Sequence, residues 1–88
     1  MLRRIVCAAI RNTDGDIICS ARHYDPLMRA QIETNAAKWP NNAVEQGFID
    51  QYGIFLSRAE ALLVARTADQ IIRGCGGDED ALYSENLY

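Results

Sequence analysis

Two turn motifs, each followed by a helix-start motif, place the strongest constraint on how this chain folds. The turns are Asn12–Gly15 and Asp50–Gly53. Asp-Gly is a favoured hairpin pair, and a turn with Asp first and Gly last is typical of type I. The helix starts are Asp25-Pro26 and the capping box Ser57–Glu60. This order, ββα-ββα, predicts an α+β fold in which two hairpins form an antiparallel sheet with two helices on one side.

The first hairpin has a predicted register that sorts its residues onto two faces. Centring the turn on Asp14-Gly15 pairs Ile10 with Cys19 and Ala8 with Ala21. The predicted core face then carries Val6, Ala8, Ile10, Cys19 and Ala21. The opposite face carries Ile5, Cys7, Ala9, Ile18, Ser20 and Arg22, and we expect it to cover a ligand or to receive a second sheet from another chain.

The second half of the chain repeats the hairpin-then-helix order. Its turn predicts that Phe48 lies opposite Phe55 and that Ile49 lies opposite Ile54. We expect the first helix to run from Asp25 to about Thr34 and the second from Ser57 to Arg73, where glycines end it. The loop 35–44 contains Trp39, which we expect to anchor onto the core rather than to form a ligand platform. The aromatic tail, residues 77–88, is expected to pack on its own core or on a neighbouring subunit.

Length and composition indicate one small domain, residues 1–88. The apolar fraction is 49%, enough for a core, but chains this short often need a disulfide, a metal or a partner chain. Three cysteines with no CxxC pair predict a reducing compartment and no disulfide framework. A single histidine argues against a zinc site, so we expect no metal and no cofactor. No apolar run approaches the roughly 18 residues of a membrane span, and no signal peptide is expected.

The charge pattern favours a compact anionic ligand. A net charge of −3 does not suit binding to long nucleic acids. Nevertheless eight of the nine basic residues are arginine, whose planar guanidinium binds phosphate or carboxylate in a bidentate manner. A simple arginine preference of the source genome explains the same count.

Catalytic motifs are not found in the sequence. It has no P-loop, no GxGxxG and no GxSxG. His23 with a cysteine is a formal nucleophilic pair, but the predicted register places Cys7 on the face opposite His23. His23 with Asp25 is a formal general base, although Asp25 is already explained as a helix cap. We therefore expect a binding protein and not an enzyme.

Two groups of residues are candidates for a nucleotide pocket. Arg22–Asp25 brings a guanidinium, an imidazole and a phenol to a strand exit before a helix. Arg58, Arg66 and Arg73 fall within an arc of about 80° if they share one helix; a solvated helix face explains that stripe equally. Phe48 is a candidate either for stacking a base or for the core.

Several segments together resemble the phage Thoeris anti-defence "sponge" family. The similar segments are Ile5–Ile10, Ala21–Asp25 with Met28, Glu45–Asp50, Gly53–Leu56, Arg58–Ala61 and Leu82–Glu85. They span most of the chain except the loop 35–44. Members of that family sequester a cyclic ADP-ribose isomer made by bacterial TIR-domain enzymes, and some also hold cyclic oligonucleotides.

The resemblance implies a function in the host bacterial cytoplasm, blocking TIR-dependent immunity without turnover. It implies a homo-oligomer, from dimer to hexamer, with ligand pockets at subunit interfaces. The ligand-binding residues that it implies are Arg22, Phe48 and Arg73, with Ser57 standing where an asparagine is expected. The two residue groups described above add His23 and Arg58 to the candidate ligand-binding residues. Two alternatives stay open: a small enzyme that uses His23 to hydrolyse a cyclic nucleotide, and an adaptor whose aromatic tail docks on a host factor.

Overall fold

The computed structural model describes residues 2–40, 44–72, 81–83 and 86–87. Its elements follow the predicted order, with one additional short 3-10 helix. They are β1 (Ile5–Arg11), β2 (Ile17–Ser20), α1 (Pro26–Thr34), the 3-10 helix (Ala36–Lys38), β3 (Glu45–Asp50), β4 (Phe55–Ser57) and α2 (Arg58–Thr67). No helix in these described ranges is long and apolar enough to cross a membrane.

The four strands form one antiparallel sheet in the order β2-β1-β3-β4. Both helices pack on the same face of this sheet. Ala8 and Phe48, which are paired across β1 and β3, lie under α2, and Ile10, two residues after Ala8, lies under α1. The predicted α+β fold with two hairpins and two helices is therefore confirmed.

The two hairpins share one turn conformation. Gly15 N–H donates to Asn12 O, and Asn12 N–H donates to Asp16 O; Gly53 N–H and Asp50 N–H make the same bonds to Asp50 O and Ile54 O. Gly15 and Gly53 have φ of 88° and 76°, the left-handed region that favours glycine. Each turn is therefore a type I turn followed by a left-handed residue, which adds one residue to the loop.

This extra residue makes both predicted registers wrong by one position. Ile10 pairs with Ile18, not Cys19, and Ala8 pairs with Ser20. Phe48 pairs with Leu56 instead of Phe55. Because side chains alternate along a strand, β2 presents Ile18 and Ser20 to the helices and turns Cys19 to the other face.

The start of β1 also departs from the predicted core face. The pairing of β1 with β3 is irregular between Ile5 and Cys7, so Val6 is an extra residue and is 51% exposed. The irregularity places Ile5 on the same face as Ala8, and both are buried. The alternating pattern predicted that Val6 belongs to the core face, and this prediction is wrong.

Two apolar clusters fill the space between the sheet and the helices. The cluster under α2 consists of Ile5, Ala8, Phe48, Leu56, Ala61, Leu62, Ala65 and Leu82. The cluster under α1 consists of Ile10, Met28 and Trp39, with Tyr24, Ile18, Ile32 and Val44 packed against it. Trp39 is buried, so its predicted role as a core anchor is confirmed.

The second helix is shorter than predicted. It ends at Thr67, because Asp69 adopts a left-handed conformation with φ of 56°. Gln70 N–H then donates to Ala65 O and Asp69 N–H donates to Arg66 O, which is a Schellman ending. The predicted continuation to Arg73, and with it a three-arginine stripe on one helix, is wrong.

The helix ending delivers Gln70 to the first residue of β1. Gln70 Oε1 accepts from Ile5 N–H at 2.7 Å, and Gln70 Nε2 donates to Ile5 O at 2.8 Å. β2 ends opposite Ala8 and supplies no partner to Ile5. The side-chain amide therefore makes the pair of bonds that a neighbouring strand would make.

The described residues of the tail, 81–83 and 86–87, pack on the core of the same chain. Leu82 and Asn86 have no exposed surface. Leu82 N–H donates to Arg58 O, Ile72 N–H donates to Asn86 O, and Tyr83 N–H donates to Asn86 Oδ1. Leu82 thereby belongs to the apolar cluster under α2. Packing of the tail on a neighbouring subunit stays a prediction.

Asp50 is a buried carboxylate that closes the second hairpin. Its Oδ1 accepts from Tyr52 N–H and Ile54 N–H, and its Oδ2 accepts from Arg3 Nε at 3.0 Å. Burial raises the pKa of Asp50, but the hydrogen bonds from Ile54 and Tyr52 and the Arg3 guanidinium outweigh burial, and the pKa is lowered. In the first hairpin the neutral Asn12 side chain accepts from the two equivalent groups, Asp14 N–H and Asp16 N–H.

Replacing Asp50 by asparagine tests the charged part of this interaction. Asp50→Asn keeps the acceptor for the turn but loses the pair with Arg3, so we expect a loss of about 1–3 kcal/mol in the free energy of unfolding at pH 7. A lowered native pKa stabilises the fold above the unfolded-state pKa of about 3.9, and this contribution disappears as the pH falls through the native pKa.

The difference between wild type and Asp50→Asn should therefore shrink in urea unfolding curves recorded from pH 7 down to pH 3. Asp14→Asn is the matched control, because Asp14 is exposed in the equivalent turn. A difference that stays constant with pH would contradict the role of the charge.

Candidate functional site

The site is a group of polar and aromatic side chains gathered over β3 on the helix side of the sheet. We call it the β3 cluster: His23, Gln46, Phe48, Arg58 and Tyr83. His23 comes from the loop after β2, Gln46 and Phe48 from β3, Arg58 from the first turn of α2, and Tyr83 from the tail.

A strained turn brings His23 into the cluster. The turn is closed by Asp25 N–H donating to Arg22 O, and Tyr24 has φ of 56°. This conformation costs a non-glycine residue about 1–3 kcal/mol. Two contacts hold Tyr24 in this conformation: its N–H donates to the Met28 sulfur, and its side chain packs against the core under α1. Backbone strain of this kind concentrates at functional sites.

Asp25 fixes the other end of this turn as the predicted N-cap of α1. Its carboxylate accepts from Met28 N–H at 2.9 Å, from Arg22 N–H at 3.2 Å and from the Ser20 hydroxyl at 2.5 Å. The hydrogen bond from Ser20, followed by that from Met28 N–H, lowers the pKa of Asp25. Ser20 reaches Asp25 because the actual register turns it toward the helices.

His23 lies against two consecutive residues of β3. Its ring meets the Phe48 ring edge-on, with centroids 5.0 Å apart and planes at 87°. His23 Nε2 lies 2.7 Å from Gly47 O, and since a carbonyl only accepts, Nε2 carries a proton and donates. A side chain at Gly47 would collide with Leu56 O and the Phe55 ring, so only glycine fits there.

Arg58 is fixed by three partners at the start of α2. One terminal nitrogen donates to Leu82 O at 2.8 Å and the other donates to Gln46 Oε1 at 2.6 Å. The guanidinium carbon lies 4.7 Å from the centre of the Tyr83 ring, a cation–π distance. A guanidinium that is already held in one orientation loses little further rotamer freedom when it binds an anion.

His23 and Arg58 are brought close together because their partners on β3 are close. His23 contacts Gly47 and Phe48, and Arg58 contacts Gln46. Gln46 and Phe48 are two residues apart on one strand, a rise of about 7 Å, and point to the same face. The β3 partners of His23 and of Arg58 therefore lie within three consecutive residues, Gln46, Gly47 and Phe48.

The other predicted site residues have different placements. Phe48 has no exposed surface and supports the His23 ring from within the core. Ser57 is the N-cap of α2: its hydroxyl accepts from Glu60 N–H, and the Glu60 carboxylate accepts from Ser57 N–H. The hydrogen bonds with Ser57 lower the pKa of Glu60. Arg22 is exposed on the strained turn next to His23. Arg73 lies outside the described residues.

Three contributors to the cluster were missed by sequence reasoning. They are Gln46, Tyr83 and the carbonyl of Leu82. The unusual aromatic content of the tail was a usable signal, since an aromatic terminus that packs inward has to meet some element of the core. Nothing local to Gln46 in the sequence distinguished it from any exposed strand residue.

The chain matches the model of the Phage T4 y16D protein family over residues 4–88. It belongs to this family. The match includes β1 to α2 and the tail, so every element that builds the β3 cluster lies within the y16D region. The family description identifies a phage protein and states no activity. No curated protein and no solved structure matches this y16D family member.

Changing Arg58 to lysine tests whether the planar guanidinium organises the cluster. Arg58→Lys keeps the charge but cannot bond to Leu82 O and Gln46 together while it stacks on Tyr83. We expect a loss of about 1–3 kcal/mol in the free energy of unfolding, measured by urea denaturation.

Arg66→Lys is the matched control on the same helix, because Arg66 is exposed, and it should change stability by less than about 0.5 kcal/mol. Hydrogen exchange at the Leu82 amide, which donates to Arg58 O, should quicken in Arg58→Lys alone. Equal behaviour of the two variants would show that the tail does not depend on Arg58.

Proposed function

We propose that this phage protein binds and sequesters a small cyclic nucleotide signal of bacterial immunity, of the cyclic ADP-ribose type, without turnover. The proposed place of action is the cytoplasm of the host bacterium. The observation that carries the proposal is the convergence of His23 and Arg58 over the segment Gln46–Phe48. A diphosphate linkage in the ligand is the group that these two side chains would bind.

The positions of the donors support an anionic ligand. Each is held by a separate part of the fold: His23 by the strained turn and Gly47 O, and Arg58 by Leu82 O and Gln46. Such preorganisation strengthens binding because the side-chain entropy has already been lost on folding. Hydrogen bonds to charged partners contribute about 1.5–3 kcal/mol each, enough to hold a doubly charged ligand.

The aromatic residues support the same proposal in positioning roles. The buried Phe48 ring fixes the orientation of His23, and the half-buried Tyr83 ring lies against the Arg58 guanidinium. The adenine of the ligand then stacks on a surface completed by a second copy of the chain. A homo-oligomer is part of the proposal for that reason.

Binding of the cyclic ADP-ribose isomer produced by a TIR-domain enzyme, followed by isothermal titration calorimetry, tests the site. His23→Ala and Arg58→Ala should each weaken binding by about 10-fold to 150-fold, the equivalent of one hydrogen bond to a charged group. Arg66→Ala and Arg29→Ala are controls of equal charge change at exposed helix positions, and they should bind as wild type does.

Circular dichroism should confirm that each variant is folded. Normal affinity in both His23→Ala and Arg58→Ala, with the protein folded, would remove the β3 cluster from the proposal.

The fate of the bound molecule distinguishes sequestration from hydrolysis. After incubation, the complex is denatured and the released nucleotide is analysed by mass spectrometry. We expect the intact cyclic molecule in stoichiometric amount. A linear product would support the alternative in which the protein is a small hydrolase using His23.

The adaptor alternative is less well supported because the described residues of the tail contact the rest of the chain. Leu82 and Asn86 are fully buried, and Tyr83 lies against Arg58. A segment that completes its own core is not available to dock on a host factor unless it detaches. If wild-type protein showed no binding to cyclic nucleotides but captured one host protein through its tail, the adaptor would replace our proposal.

A further inference from the structure

Two thiols lie together on the sheet face that carries no helix. Cys19 on β2 pairs with Ala9, and Cys7 is two residues before Ala9 on the same side of β1. The two cysteines are therefore diagonal neighbours across an antiparallel pair. Both are free thiols and half-buried. The register set by the first turn places both cysteines on this face. In the predicted register, which differs by one residue, Cys7 and Cys19 would lie on opposite faces.

The two thiols also interact with each other. Burial raises the pKa of the Cys7 thiol to about 12, and the charge of Cys19 and a hydrogen bond between the two side chains add to this shift. Ala9 lies directly opposite Cys19 and two residues after Cys7 on the same face. Its methyl side chain is too small to separate the two thiols, and Ala9 is fully buried. Diagonal neighbours lie about 7–8 Å apart and a disulfide needs Cα atoms within roughly 7 Å, so the bond requires a backbone shift of about 1 Å. We assign this shift to β2, which has only four residues and forms the edge of the sheet.

We propose that Cys7 and Cys19 form an intramolecular cross-strand disulfide when a low-molecular-weight disulfide such as oxidised glutathione is present. In the first step the Cys19 sulfur, as its thiolate, attacks glutathione disulfide, forms a mixed disulfide and releases one glutathione thiolate. In the second step the Cys7 sulfur attacks Cys19, and the second glutathione leaves with the Cys7 proton. The two thiols lose two electrons and two protons, and one glutathione disulfide becomes two molecules of glutathione.

The bond would join the edge strand to the strand beside it. β2 leads directly into the turn that carries His23, and β1 lies between that turn and β3. Oxidation therefore fixes the edge strand that leads into the His23 turn. This inference does not depend on the proposed ligand.

The test uses the full chain with Cys75→Ser, in parallel with wild type, so that only Cys7 and Cys19 remain available. After incubation with oxidised glutathione at pH 7, intact mass spectrometry should show a monomer lighter by two hydrogen atoms. Digestion without reduction should yield the peptide joining Cys7 to Cys19. The apparent Tm of this species should exceed that of the reduced protein by about 5 °C or more, because the crosslink restricts the unfolded chain.

Cys7→Ser and Cys19→Ser in the same background are the matched controls, and each should stop at a glutathione adduct or remain unmodified. A mixed disulfide that persists on the protein with both cysteines, or a disulfide that joins two chains, would overturn the proposal.

Discussion

The two hairpin turns depend on one interaction, in which a side-chain oxygen accepts two backbone N–H groups. Asn12 makes it in the first hairpin and Asp50 in the second, and a left-handed glycine closes each turn. This loop length sets the register of β2 against β1 and of β4 against β3. Register then decides which side chains meet the helices, so the placement of Ser20 beside Asp25 and of Leu56 opposite Phe48 follows from the turns.

The β3 cluster combines parts of the chain that are far apart in sequence. The strained turn at Tyr24 is retained because Met28 and the Asp25 cap hold both of its ends. The tail contributes by orienting the Arg58 guanidinium through a backbone carbonyl and an aromatic ring. A small domain with limited core volume thus uses polar contacts to its own terminus to order a side chain that would otherwise be mobile at the surface.

Local signals in the sequence were sufficient to predict the strands and the helix starts, but not the register in which the strands pair. The Asp25 cap and the Ser57 capping box predicted both helix starts, because those motifs act within one helical turn. The pairing of Phe48 with Leu56 was missed, because Asp-Gly and Asp-x-x-Gly motifs are compatible with loops that differ by one residue. The helix end at Thr67 was missed because Asp69 adopts a left-handed conformation that neither glycine nor proline marks in the sequence. His23 and Arg58 were identified as candidates by residue type, whereas Gln46 and Tyr83 needed the three-dimensional arrangement.

The hydrogen bonds between the Gln70 side-chain amide and Ile5 bear on strand pairing between two molecules of this protein. Beyond Ser20 the sheet has no strand on the β2 side, and unpaired backbone groups at such a position invite a strand from another molecule. Gln70 occupies both groups of Ile5 with one side chain and belongs to a segment anchored by the end of α2. One glutamine side chain thus occupies the backbone groups that the short edge strand leaves unpaired at Ile5. A strand of another molecule therefore cannot pair with Ile5 and extend the sheet there.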